Sequence, residues 1–313
     1  MKQPLVSVVI ETINPRSTPG AGALADELAG PLGSLDRQTY PQELIERIVV
    51  IDDKVSGAEA DELCRRYPSV KLVKAASNYF AAKNAGAAAA RGEIVALLDG
   101  DCEATPGWLE ALVAPFEPGV VAVGGRSRYQ GGSWAARTFS VPDFAYVLAD
   151  GHGAATGFNI HNVAFRREAL LAHPFNERIR RDGGCYLLFH QLRAEGARVL
   201  NEPRAEVRHA MDFRGLGFVR KHFNRGYDGV AVYRLDDGAV LRGTPLFRRL
   251  GPLALVAFTG RRVVVDWLRL LRHRRQIGFP VVALPYYGAV TALTRTIELA
   301  GGLAATFSPG TSK

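Results

Sequence analysis

The 313-residue sequence predicts an α/β fold with a mainly parallel central sheet, and three observations carry that prediction. Apolar runs of strand length alternate with helix-forming stretches through residues 1–125, the pattern of layered parallel sheets. The run Ile94-Val95-Ala96-Leu97-Leu98 has no polar face, as expected of a strand covered on both sides. It stops abruptly at Asp99-Gly100-Asp101, and open α/β sheets hold their ligands at such strand ends.

Taken in order, Leu5–Ile10 reads as the first buried strand, with no signal-peptide pattern in Met1–Pro4 before it. Asn14–Gly33, rich in Pro, Gly and Ala, reads as a loop near the ligand end. Arg47–Ile51 is a second strand, ending in Asp52-Asp53, and Val70–Lys74 a shorter third. Ala58–Tyr67 is a helix that closes at Pro68, and Phe80–Arg91 is an Ala-rich helix stopped at Gly92. Ile94–Leu98 is the fourth strand and Gly119–Gly125 the fifth. Residues 126–160 look irregular, followed by helices at Glu168–Leu171 and Tyr186–Glu195 and an extended Arg198–His209. From Arg220 onward the pattern is basic, amphipathic helix.

Two carboxylates flanking a glycine repel each other unless a cation or a donor-rich ligand joins them. A hard divalent ion carrying phosphate oxygens would do so. The same triplet is also ordinary turn chemistry, so its neighbours must decide. Three further polar elements fall at the same ends: Glu11-Thr12-Ile13-Asn14 after the first strand, Asp52-Asp53 after the second, and Lys83-Asn84-Ala85-Gly86 on the helix before the acidic strand. Taken singly, Asp52-Asp53 is equally a helix cap and Lys83 equally a solvated helix face.

The ordered set Val-Ser-Val-Val-Ile-x-Thr-x-Asn, Val-Val-Ile-Asp-Asp, Lys-Asn-Ala-Gly and Gly-Glu-Ile-Val-Ala-Leu-Leu-Asp-Gly-Asp resembles the family 2 glycosyltransferases of GT-A fold over roughly residues 5–230. In that resemblance Asp99-Gly100-Asp101 is similar to the family's DXD motif. It implies a nucleotide-sugar donor whose nucleoside is held by Thr12 and Asp52 or Asp53, with Lys83 near the base or diphosphate. It implies that Asp101, with Asp99, binds Mg2+ or Mn2+ bridging the diphosphate, and that His209 is a further metal ligand. On the acceptor side, Gly157–Leu170 resembles the family segment ending in Arg-Arg-Glu-Ala-Leu, which brings Asn159 and Asn162 toward an acceptor and leaves Arg166 and Arg167 with at least one solvated side chain.

The departures matter equally. The family's Glu-Asp pair, whose Asp is the general base, falls on Gly184-Cys185, and the nearest carboxylate is Asp182 in Arg181-Asp182-Gly183-Gly184. Asp182 is therefore the expected base, equally a helix cap by position, with His152 and His161 in reserve. Glu11 stands where the family usually has Pro. The Gln-x-x-Arg-Trp element of processive synthases is absent, so single additions are expected.

Composition separates the two ends of the chain. Residues 1–210 carry 23 Lys/Arg against 25 Asp/Glu, while residues 211–313 carry 16 against 6. That last third also holds uncharged stretches at Leu250–Phe258 and Gln276–Thr294. Aromatic residues do not interleave with the basic ones as in a base-stacking platform, so an anionic membrane face is favoured over nucleic acid. Pro280, Pro285 and Gly288 interrupt the second stretch, which argues for an interfacial or re-entrant hairpin over a span. Arg220–Tyr227 resembles the basic segment following the catalytic domain in many members, able to meet a donor diphosphate or a lipid phosphate, or simply a solvated face. Cys64, Cys102 and Cys185 are three and unevenly spaced, supporting neither a disulfide framework nor a zinc site.

The expectation is a catalytic domain at 1–230, with a nucleotide-binding half 1–125 and an acceptor half 126–230, and a membrane-associating helical region at 231–313. The expected enzyme is a metal-dependent, inverting, non-processive glycosyltransferase, cytoplasmic and peripheral at the membrane face, acting on a sugar, lipid-linked or small-molecule acceptor. The alternative is a non-catalytic sugar-nucleotide or lipid-phosphate binding protein on the same fold. A nicotinamide-dependent oxidoreductase is disfavoured because no Gly-x-Gly-x-x-Gly follows the first strand.

Overall fold

The computed structural model describes residues 3–13, 24–130, 138–139, 141, 143, 153–210 and 216–308. Four parallel strands lie in the order β3-β2-β1-β4: β1 Val6–Glu11, β2 Ile45–Ile51, β3 Val70–Lys74 and β4 Ile94–Asp99. Every residue of β1 and β4 is buried, which explains why neither strand alternates polar and apolar residues. Helices α3 (Gly57–Arg66) and α4 (Tyr79–Ala89) connect the parallel strands. Ser56 and Glu59 close a reciprocal capping box at the start of α3, and the Asn78 side chain accepts from the Phe80 and Ala81 amides at the start of α4.

Register fixes the ligand end. Glu11 lies opposite both Val50 and Asp99, so the carboxyl ends of β1, β2 and β4 finish at one level. The sheet continues through β8 (Asn162–Arg166), β6 (Val120–Gln130), β9 (Arg198–Ala210) and β5 (Cys102–Ala104), with β8 antiparallel to both β4 and β6, and with β5 and β7 (Gly153–Ala154) each antiparallel to β9. The pairing of Cys102 with His209 across β5 and β9 brings a residue more than a hundred positions away beside the Asp99–Asp101 turn.

Part of the stretch Asn14–Gly33 expected as loop is helical: α1 (Leu24–Glu27) lies within it and α2 (Ala29–Asp36) begins there. Leu24, Leu28, Leu32 and Leu35 recur at helical spacing and all are buried, so a continuous apolar stripe overrides the local Gly and Pro. Residues 14–23 lie outside the described residues. The short helices α5 (Trp108–Val113) and α6 (Arg167–Ala172), together with α7 (Gly184–Ala194), complete the order up to β9.

The chain divides into two compact units, one of residues 1–128, 149–177 and 191–209, the other of residues 129–148, 178–190 and 210–313. The helix α8 (Gly217–Arg234) groups with the C-terminal helices. The cause is close backbone packing. A Cβ on Gly226 would lie 1.7 Å from the Glu298 carbonyl oxygen, and one on Gly301 would lie 1.9 Å from that of Phe223. Only glycine permits α8 and α11 (Leu284–Phe307) to cross so closely.

Between them in sequence come α9 (Thr244–Leu250) and α10 (Pro252–Ile277), the latter stopped by Gly278 in the left-handed conformation at φ +94°. The uncharged stretch Gln276–Thr294 thus spans a helix end, a single 3-10 turn and the start of α11. Among the described residues, no helix is long and apolar enough to cross a membrane.

Candidate functional site

The carboxyl end of β4 is an electrostatic arrangement made by α4. Gly86 lets this helix lie directly on the sheet, since a Cβ there would fall 2.2 Å from Val9 Cγ1. Lys83, one turn earlier, is completely buried and reaches Asp99: its Nζ donates to Asp99 Oδ1 at 2.6 Å and to the Leu98 carbonyl at 3.2 Å. The Tyr79 hydroxyl lies 2.7 Å from Asp99 Oδ2. A solvated helix face, the alternative to a place for Lys83 near the donor base or diphosphate, is therefore excluded. Burial alone would raise the Asp99 carboxyl, but the Lys83 ammonium and the nearby His161 outweigh it and hold the group at about 2. Asp99 is thus an anchored carboxylate held in its charged form by Lys83.

Asp101 has a different environment. Gly100 turns the chain, and the Asp101 side chain, 29% exposed, has its Oδ1 3.8 Å from His209 Nε2 and 3.7 Å from Cys102 Sγ. His161 joins them. Its ring meets that of His209 edge-on with centroids 4.8 Å apart, and its Nε2 lies 2.8 Å from Ser127 Oγ. Cys102 Sγ and one ring nitrogen each from His161 and His209 lie within 4.8 Å of one another. Burial, reinforced by the Asp101 and Asp99 charges, pushes the Cys102 thiol well up. The donor set beside Asp101 fits a divalent cation: its carboxylate faces the His209 imidazole at 3.8 Å, both are partly exposed, and the His161 ring lies against that of His209.

The other expected donor-side residues occupy the neighbouring strand ends. Thr12 is buried, with its hydroxyl donating to the Val50 carbonyl at 3.1 Å. Ser77 Oγ lies 2.8 Å from Asp52 Oδ2 and also contacts Asp53 Oδ1, so one hydroxyl serves two adjacent carboxylates. Asp52 Oδ1 additionally accepts from the Lys54 amide at 3.1 Å. Asn14 lies outside the described residues.

On the expected acceptor side, Asn162 is fully buried, and its amide is committed to the frame. Its Oδ1 accepts from Trp108 Nε1 at 2.8 Å, and its Nδ2 donates to the Arg126 and Ala205 carbonyls at 2.8 and 3.0 Å. Asn159 is the more available amide, with Nδ2 3.4 Å from Ser127 Oγ. Arg166 donates to the carbonyls of Val120 and Glu117, and Arg167 to that of Ala88, so both tie segments together.

Asp182 belongs to the other unit. Gly183 beside it has φ +96°, and a Cβ there would fall 2.5 Å from Val232 Cγ2, so glycine is required at this turn. Arg225 Nε donates to Asp182 Oδ1 at 3.3 Å, and the Asp182 amide donates to Asp228 Oδ2 at 3.2 Å. Asp228 is a carboxylate that sequence patterning passed over. Burial raises it, only partly offset by Arg180 at 3.0 Å. The Cys185 thiol, at the position where a carboxylate was expected, is pushed up to about 11 by burial and does not serve as a base. His152 lies outside the described residues.

The same unit buries a network of charges. Arg225 Nη1 contacts Asp143 Oδ1, Lys221 Nζ lies 2.9 Å from Asp143 Oδ2, and His222 Nδ1 lies 3.0 Å from Glu298 Oε1. Arg295, almost wholly buried, bridges Asp266 at 2.8 Å and Glu298 at 2.7 Å.

Comparison with known proteins bears on the family and the fold. Residues 23–172 match the model described as glycosyl transferase family 2. The chain is 30% identical over 142 residues to glycosyltransferase AglE of Haloferax volcanii, covering 43% of this chain and 44% of that one. It is 36% identical over 83 residues to polypeptide N-acetylgalactosaminyltransferase 12 of Mus musculus, covering 24% and 14%. The chain thus spans less than half the length of these curated relatives. A solved structure, mannosyltransferase PcManGT from Pyrobaculum calidifontis in complex with GDP-Man and Mn2+, aligns with a TM-score of 0.61 at 19% identity. That alignment covers 98% of this chain and 88% of the other, and it is a likeness of fold: a GT-A, Rossmann-like α/β architecture followed by helices.

Proposed function

We propose that this chain, whose residues 23–172 match the model described as glycosyl transferase family 2, transfers a sugar from a nucleotide-sugar donor to an acceptor hydroxyl. The observation that carries this is the end of β4, where Lys83 neutralises Asp99 while Asp101 stands 3.8 Å from His209. Asp101 and His209 would hold a divalent ion there. Bound, it supplies positive charge against the nucleoside diphosphate that leaves as the glycosidic bond forms. Thr12, Asp52 and Asp53 orient the nucleoside at the adjacent strand ends. Asp182 accepts the proton of the acceptor hydroxyl, whose oxygen bonds to the anomeric carbon as the carbon–diphosphate bond breaks. Attack opposite the leaving group inverts the anomeric centre, and we propose single additions.

The test is donor turnover. Incubation with nucleotide sugars and Mn2+ is expected to yield free nucleoside diphosphate, and chelation is expected to stop it. Asp182→Asn is expected to lower transfer by about 10²–10⁴-fold while donor affinity is kept, the usual share of a general base. Donor binding without turnover under any condition would instead make the chain a binding module.

We also propose that the C-terminal helical region meets an anionic membrane face, a reading supported by exposed side chains of α9, α10 and the 3-10 turn Val281–Ala283. Leu253, Leu268 and Val282 are 70%, 62% and 80% exposed, and Arg248, Arg249, Arg261 and Arg272 are exposed on the same elements or beside them. Apolar side chains among arginines suit the headgroup region of an anionic bilayer. Sedimentation with phosphatidylglycerol vesicles should carry the protein down, less so at high salt, whereas phosphatidylcholine vesicles should not. Equal recovery with both would remove the membrane from the account.

A further inference from the structure

We propose that Cys102, His161 and His209 form a thiophilic cation site that takes Zn2+ or Co2+ ahead of Mg2+, with Asp101 as its neighbouring carboxylate. Three separate segments supply it. Cys102 opens β5, His209 faces it from β9 in antiparallel register, and His161 precedes β8. The ligand atoms lie within 4.8 Å of one another, and Asp101 Oδ1 lies 3.7 Å from the Cys102 sulfur and 3.8 Å from His209 Nε2.

A tetrahedral zinc centre has Zn–S and Zn–N bonds near 2.3 and 2.0 Å, which sets its ligand atoms roughly 3.5 Å apart. Side-chain rotations that draw this cluster in by about 1 Å complete that geometry. Cys102 is fully buried and His161 nearly so, whereas His209 and Asp101 are partly exposed, so an ion enters from the Asp101 side. Ser127 holds the His161 ring, the kind of supporting hydrogen bond that orients a metal-ligating imidazole.

The donor chemistry discriminates between ions. Mg2+ prefers a full set of oxygen ligands and keeps its waters, so a sulfur and two imidazoles suit it poorly. Zn2+ and Co2+ accept N and S donors readily. Binding displaces the Cys102 proton to solvent and leaves the thiolate on the ion, so the step is a proton-for-cation exchange with no redox change. His209 is shared with the site of the proposed transferase reaction, and the inference rests on that reading only where it concerns regulation: an ion held by Cys102 withdraws His209 from the diphosphate-side ion, so Zn2+ antagonises Mn2+-supported turnover.

The experiment is a Co2+ titration of the metal-stripped full chain followed by absorbance. A thiolate-to-cobalt charge-transfer band saturating at one equivalent is expected, with release of a proton, and Zn2+ but not excess Mg2+ should bleach it. The band should persist in a variant carrying Cys64→Ser and Cys185→Ser and vanish in Cys102→Ser, whose folding is checked by its melting curve. If Cys102→Ser does not fold, His161→Gln serves in its place and should weaken Co2+ affinity at least about tenfold. No band in the wild-type chain, a band surviving Cys102→Ser, or unchanged affinity in His161→Gln would overturn the site. Donor hydrolysis with Mn2+ on the same preparation separates the two proposals. Turnover without the band sinks this one alone, and the band without turnover sinks the transferase reading alone.

Discussion

The two units bury charge in opposite ways. At the end of β4 a single lysine meets a single aspartate: Lys83 and Asp99 form one ion pair, sealed by the Tyr79 hydroxyl, under an otherwise apolar strand. Among the C-terminal helices the charges are meshed. Asp143 is shared by Arg225 and Lys221, and Glu298 by Arg295, Arg262 and His222. At β4 one buried lysine balances the carboxylate, whereas in the mesh several cations share each carboxylate. The first arrangement fixes one carboxylate so that its neighbour, Asp101, faces a different set of donors. The second neutralises itself and holds helices together.

That contrast has its largest expected consequence at Lys83. Replacing it in Lys83→Met strands Asp99 without its cation in a buried site and should destabilise the protein by about 3–5 kcal/mol, read from urea denaturation. A loss within the range of surface substitutions would mean that the pair is dispensable and the comparison mistaken.

Acid should act next, and on both units. Burial opposes ionisation of Asp99, Asp143 and Glu298, yet Lys83, Arg225 and Arg295 respectively outweigh it and hold all three below their ordinary values of 3.8, 3.8 and 4.5. A depressed carboxyl stabilises the fold above its unfolded pKa, and this is lost as pH falls toward the folded value. Asp228, raised by burial, works the other way, its contribution being present below 3.8 and fading as pH rises through its folded value. Glu46, held down against its burial by the Ser7 hydroxyl and Arg91, makes four such groups against one, so the melting temperature should drop steeply between about pH 4.5 and pH 2. A flat profile there would contradict the ion-pair account.

The smallest effect is expected at Lys221, which is 29% exposed and shares Asp143 with Arg225. Lys221→Met should cost about 1 kcal/mol or less, because a partly exposed pair is screened and Arg225 remains. A loss as large as that of Lys83→Met would erase the distinction between the Lys83–Asp99 pair and the mesh.

The sequence made the strands legible because β1 and β4 are buried on both faces and therefore read as unbroken apolar runs. The level ends of β1, β2 and β4 followed from parallel pairing, which put Thr12, Asp52 and Asp99 at one edge as expected. The environment of Lys83 was not legible, since a lysine in an Ala-rich helix has no periodic signal of burial until Gly86 is known to seat the helix on the sheet. Nor was the role of Asn162, whose three bonds reach Trp108, Arg126 and Ala205 from distant segments. Cys102 and His161 escaped for the same reason: uneven cysteine spacing argued against a metal site, and only the β5–β9 register brings sulfur and imidazoles together. The one available signal was Cys102 following Asp101 directly, with His209 closing an extended run.

The central claim, that Asp101 anchors a cation-dependent diphosphate site, is tested most directly by thermal shift with GDP and UDP in Mn2+ or in chelator. The account predicts that at least one of them raises the melting temperature in Mn2+, that chelation abolishes the rise, and that Asp101→Ala folds but does not respond. An equal rise in chelator, or an undiminished response in Asp101→Ala, would contradict it.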